Sequence, residues 1–179
     1  MKNIIPIGID NVTGQIGILE SGVDGLISSG NDFTSSNYSG GDIDAGSTND
    51  GGFVDVDAVN AQITFTVNNP GKYLVRFSFS CFSQGTISLA FSSRTSFRLT
   101  DGTDNSPALI GGCSMPLVAT FTNSITNPFT LNRVFSFSSA GSVTVKLQKK
   151  NIVSTNINAR NVLANSNSEI AMFAFRIAD

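Results

Sequence analysis

The chain has 179 residues, enough for one domain of ordinary size with a short appendage and enough to bury a core without disulfide staples. Charged residues make up only 13%, about half the usual share, so Ser, Thr, Asn and Gly must supply the polar surface and strong helix formers are scarce. Residues 1–71 carry nine acids and one base while residues 72–179 carry four acids and ten bases, and because only Lys146, Lys149 and Lys150 cluster, this asymmetry reads as an acidic, partly solvated front end on a mildly basic β domain rather than a nucleic-acid site.

Residues 1–28, MKNIIPIGIDNVTGQIGILESGVDGLIS, hold short apolar pairs cut by Gly, Pro and Asp. They predict an extended segment with a β-hairpin around Thr13-Gly14, too short to form its own core. Pro6 and Asp10 interrupt the apolar start, so no signal peptide is read, and no run is long enough to span a membrane. A soluble chain made in the cytosol is expected. Residues 29–52 are almost entirely Gly, Ser, Asn, Asp and Thr and predict a linker or long surface loop.

From residue 53 to 179 the pattern becomes short runs of period two between turn residues. Strands are expected in FVDVDAV, QITFTV, KYLVRFSFS, TISLAFS, SFRLT, PLVATFT, NRVFSFS, SVTVKLQ, IVSTNIN and EIAMFAFRI. About ten antiparallel strands without a credible helix predict an all-β jelly-roll sandwich. Loops 101–114 and 122–130 would be exposed on this scaffold and are the expected contact regions. Cys81 and Cys113 do not make a disulfide framework; a buried thiol and a single bridge both remain open for them.

Two stretches share one skeleton. Phe65 is followed after five residues by Gly71, then by Tyr73, Val75 and Phe77 at alternate positions; Phe135 is followed likewise by Gly141, Val143, Val145 and Leu147. Each copy predicts a strand ending in Phe, a turn that uses glycine, and a long strand with one buried face. The last strand is apolar on both sides, with Ile170 and Met172 on one and Phe173, Phe175 and Ile177 on the other. In an antiparallel sheet one face usually meets water. A second cover is therefore expected, either another subunit or the segment 1–52.

No constellation points to catalysis. Histidine is absent, which removes the commonest general base and metal ligand, and no nucleophile elbow, phosphate loop or zinc spacing occurs. A carboxylate pair could be drawn from Asp55, Asp57, Asp101, Asp104 and Glu169, but the Asp residues alternate on a strand or sit in turns, so no glycosidase dyad is read. The run from Asp42 through Asp44, Asp50 and Asp55 to Asp57 offers oxygen ligands, but it lacks the glycine and the bidentate glutamate of a calcium loop and reads as a solvated acidic loop. Neither enzymatic activity nor a cofactor is expected.

The residues Phe65, Gly71, Tyr73 and Phe77 resemble the signature of the globular heads related to complement and tumour necrosis factor, with Val75 in place of an aromatic; FAFRIAD is similar to that family's last strand. The resemblance implies a ten-stranded jelly roll that forms a homotrimer, with the last strand near the three-fold axis. On it, Tyr73, Val75, Phe77, Ile170, Met172, Phe173, Phe175 and Ile177 are expected in the core or at the trimer interface. At the other end Pro6, Ile7, Gly8, Ile9, Asp10, Thr13, Gly14 and Gln15 resemble an N-terminal pattern of bacteriophage tail-fibre and related virion proteins. That resemblance implies attachment of residues 1–28 to other virion proteins of the capsid or tail. Together they imply a virion, assembled in the host cytoplasm, whose trimeric fibre or head-decorating spike projects a jelly-roll head toward a host-surface glycan or protein. Two alternatives stand beside it: a passive capsid or tail component, and a cellular lectin- or cytokine-like head.

Overall fold

A computed structural model describes residues 7–9, 16–18, 33–85, 93–103, 112–115, 123–153, 157–164 and 169–178. All regular structure in them is strand. β1 (Ile7–Ile9) and β2 (Ile16–Ile18) form a small antiparallel ribbon, Ile7 opposite Ile18, as the expected hairpin requires. The remaining strands are β3 (Phe33–Tyr38), β4 (Ile43–Asp44), β5 (Val54–Asp55), β6 (Gln62–Val67), β7 (Gly71–Gly85) and β8 (Ser93–Thr100). They continue through β9 (Gly112–Met115), β10 (Asn123–Phe137), β11 (Gly141–Val153), β12 (Ile157–Leu163) and β13 (Ile170–Ala178).

These make two antiparallel sheets. In the first, β10 runs along one edge of β7 while β13 and β12 share the other edge end to end, flanked in turn by β3 and β4. In the second, β6 and β5 lie along one edge of β11, and β8 followed by β9 along the other. The chain passes back and forth between the sheets, as a jelly-roll sandwich requires. Alternation fills the space between them: Ile63, Phe65 and Val67 from β6, Val75, Phe77 and Phe79 from β7, Phe97 and Leu99 from β8, Val145 and Leu147 from β11. Arg133 spans the edge of the sandwich, its guanidinium lying 4.9 Å from the Phe135 ring centre and donating to the Leu99 carbonyl at 2.7 Å.

The repeated skeleton has a topological meaning. Neither copy is a hairpin, because β6 and β7 lie in different sheets, as do β10 and β11. Each copy turns a corner, and the copies exchange partners: Phe65 of the first faces Val143 of the second, and Phe135 of the second faces Tyr73 of the first. Phe65, Tyr73 and Phe137 meet where the corners cross, with ring centres 5.6–5.9 Å apart. The Tyr73 hydroxyl donates to the Asn69 carbonyl at 2.9 Å and so ties the first corner to its strand.

Three expectations are corrected. The sheet pairing begins at Phe33, not at residue 53: β3 pairs with β13 and β4 with β12, so residues 33–44 are part of the sandwich rather than a linker. Polar composition misled because β3 is held by its backbone pairing to β13 and by its two end aromatics, Phe33 against Phe173 and Tyr38 against the core. Residues 123–130 are the first half of β10, not a loop; Pro128 is tolerated because β10 pairs only with β7 among the described residues. FVDVDAV contributes only the two residues of β5 before Asp57 folds the chain into a turn. The expected strands TISLAFS and PLVATFT lie outside the described residues.

Candidate functional site

The carboxy-terminal strand is where sequence and structure meet most directly. Ile170, Met172 and Ala174 of β13 point into the sandwich and are buried, as are Tyr73, Val75 and Phe77 of β7. Those five residues, Tyr73, Val75, Phe77, Ile170 and Met172, expected in the core or at the trimer interface, are core within a single chain. Phe173 and Phe175 take the opposite face, and Ile177, at the irregularity where the register shifts between Arg176 and Ala178, is exposed.

There the register builds an apolar row across four strands. Phe33 of β3 faces Phe175 of β13, which faces Leu74 of β7, which faces Val134 of β10. The next row runs Ser35, Phe173, Arg76 and Asn132, and the one after it Asn37, Ala171, Ser78 and Thr130. The Phe173 ring lies 6.4 Å from Phe33 and 5.9 Å from Phe175, with the Arg76 guanidinium 5.6 Å from its centre. Val134 is 48% exposed, and Phe33, Leu74, Phe173 and Phe175 are half-buried. The patch ends where Ser78 and Thr130 share a hydrogen bond of 3.3 Å. Sequence reasoning found Phe173 and Phe175 but missed Phe33, Leu74 and Val134. Leu74 and Val134 each sit on the non-core parity of a strand whose core parity is plain, which was the available signal.

The outer face of the second sheet is polar. Asp55 accepts from Lys146 at 2.8 Å and from Gln148 at 2.8 Å; Gln148 in turn accepts from Arg98 at 2.8 Å, and Arg98 lies 4.3 Å over the Phe53 ring. Burial alone would raise the Asp55 carboxyl, but the Lys146 and Gln148 hydrogen bonds and the Lys146 charge outweigh it and hold the pKa below its ordinary value. Burial likewise opposes ionisation of Asp57, and the Asn60 and Val59 backbone N–H groups with the Asn60 amide overcome it.

Four of the five acids in the run are thus engaged. Asp44 accepts from the Gly46 N–H at 2.7 Å, Asp50 is paired with Lys149, Asp55 with Lys146, and Asp57 closes its turn. Among the described residues no three Asp, Glu, Cys or His side chains converge as a metal site would need. Of the expected attachment residues, Ile7, Gly8 and Ile9 form β1, while Pro6, Asp10, Thr13, Gly14 and Gln15 lie outside the described residues.

No family model and no curated protein matches the chain. Solved structures similar to it include Eiger TNF from S. frugiperda, at 10% identity and a TM-score of 0.31, covering 83% of this chain and 94% of that one. Infectious bursal disease virus, Gx strain, is similar at 11% identity and a TM-score of 0.31, covering 90% of this chain and 42% of that one. A mutant VP2 protein of the same virus, from derived T=1 particles, is similar at 10% identity and 0.32, covering 98% and 41%. The chain spans less than half the length of the two viral chains, and likenesses this distant carry no statement about binding or activity.

Proposed function

We propose that this chain is a non-enzymatic virion protein, a trimeric fibre or head-decorating spike whose amino-terminal segment joins the particle and whose sandwich projects for adhesion to a host surface. The observation that carries the proposal is the apolar row Phe33, Phe175, Leu74 and Val134 with Phe173 beside it. Contiguous apolar surface of this kind marks an interaction site on an otherwise polar sandwich. A second and third copy of the same chain are its proposed occupants. The patch lies on the strand that the tumour-necrosis-factor resemblance would put near a three-fold axis, and three identical heads would act together through effective concentration. The resemblance of residues 6–15 to tail-fibre proteins supports the particle end of the assignment.

The test is a deletion of residues 1–28. The shortened chain is expected to keep its oligomeric mass and to fail to join particles. Normal incorporation would overturn the assignment of the amino-terminal segment. A passive capsid or tail component would instead leave adsorption of particles to cells unchanged when the head is removed.

A further inference from the structure

A groove opens on the second sheet where β8 stops. Strand β8 pairs with β11 only from Lys146 to Val153, so residues 141–145 of β11 run on with no partner on that edge among the described residues. The chain leaves β8 through Thr100 and the turn Asp101–Thr103, and the step between this turn and β11 frames a half-open concavity of about 600 Å³. That volume lies within the range of small-molecule sites.

The lining is chemically specific. Ser142 presents a hydroxyl that can both donate and accept, Thr144 one that shares its proton or a lone pair with Thr64, and Thr103 an oxygen that accepts while its proton goes to Asp101; the Gln148 amide and the Asp101 carboxylate lie beside them. Among the described lining residues the one ammonium, Lys146, is already paired with Asp55 at 2.8 Å and so is not free for an anion, while Asp101 would repel one. Phe137 and Val143 add an apolar strip at the edge. Several of these groups are held in place. Gln148 is fixed by Asp55 and Arg98, Thr144 by a 2.8 Å hydrogen bond with Thr64, and Asp101 by the backbone and hydroxyl of Thr103 at 3.0 and 2.8 Å. Groups ordered before a ligand arrives lower the entropic cost of binding it.

We propose that this groove binds a neutral pyranose, one sugar unit of a surface glycan. Its ring hydroxyls would meet the Ser142 hydroxyl and the acceptor oxygens of Thr103 and Asp101, and its C–H face the Phe137–Val143 strip. The site stands on its own geometry and rests on the attachment reading only for the source of the sugar.

The experiment titrates the full ¹⁵N-labelled chain with the methyl glycosides of glucose, galactose, mannose and N-acetylglucosamine, each to about 50 mM, enough to fill most sites for a millimolar ligand. At least one is expected to shift amide resonances of residues 100–103 and 142–148. Ser142→Trp should abolish these shifts by filling the groove, and Ser142→Ala should weaken binding about five-fold through one lost hydrogen bond, with both variants retaining the wild-type melting temperature. No response to any glycoside, a response mapping elsewhere, or undiminished binding by both variants would overturn the proposal. Adhesion of the labelled head to cells that adsorb the particles separates the two readings. If the wild type and Ser142→Trp adhere equally, the groove proposal falls and attachment stands. If the head does not adhere while a glycoside still maps to the groove, attachment falls and the sugar site stands.

Discussion

Gly71 and Gly141, seventy positions apart, hold φ angles of 148° and 152°, each at the first residue of the strand that follows a corner. A side chain is strained at such angles whatever space surrounds it. Alanine at either position is expected to cost roughly 1–3 kcal/mol, read as a lower urea midpoint at unchanged slope. Gly52→Ala, at a site with nothing within 4 Å and no positive φ, serves as control and should change little. Equal stability of all three variants would mean that the corners tolerate ordinary backbone.

Asp50 holds the approach to the sandwich in place. Its carboxylate takes the Lys149 ammonium at 3.0 and 3.1 Å and the Asn151 N–H at 2.7 Å, and the two side chains are only 13% and 10% exposed. Asn151 also donates to the Ala45 carbonyl and accepts from Thr95, so the segment 45–50 is fastened to β11 at both ends. Asp50→Asn keeps an acceptor but leaves Lys149 buried without its charge partner, a loss of about 3 kcal/mol. Adding Lys149→Met should restore much of that stability. A double variant no better than the single one would show that the charge pairing is not what fastens the segment.

The two depressed carboxyls predict the direction of acid sensitivity. Asp55 and Asp57 both titrate below their ordinary value of 3.8 in the folded chain. The unfolded chain therefore takes up these protons first as the pH falls. Their contribution is fully present above the ordinary carboxyl range and is lost as pH drops through the folded values. Melting temperature should fall more steeply below about pH 4 for the wild type than for Asp55→Asn or Asp57→Asn. Parallel curves would remove these residues from the acid response.

Much of the fold was legible because period-two alternation is a strong signal when one face is buried. QITFTV matches β6 from end to end, and EIAMFAFRI matches β13 to within one residue. The corner role of Gly71 and Gly141 could be suspected from spacing, but the exchange of partners between the copies could not, since pairing across sheets leaves no local trace. Strand β3 was lost because FTSSNY reads as loop; its order comes from the β13 edge beside it and from Phe33 against Phe173. The apolar face was half visible. Phe173 and Phe175 stood out within one strand, while Leu74 and Val134 became meaningful only when the register put them in one row. The groove was invisible, because it depends on where β8 stops relative to β11.

Substitution separates the two faces of β13. Met172→Ala should cost about 2–5 kcal/mol of stability by leaving a cavity in the core. Phe173→Glu with Phe175→Ser should leave the sandwich folded but prevent the proposed trimer from forming, measured as mass together with the melting transition. Assembly that survives both outer-face changes would place the contact elsewhere.

The most direct measurement is the mass of the wild-type chain in solution at micromolar concentration, by sedimentation equilibrium. One chain is 18.8 kDa, so three joined through the Phe33–Phe175–Leu74–Val134 face give three times that, about 56 kDa. A single species near 56 kDa is the predicted result; a stable species of 18.8 kDa would contradict it.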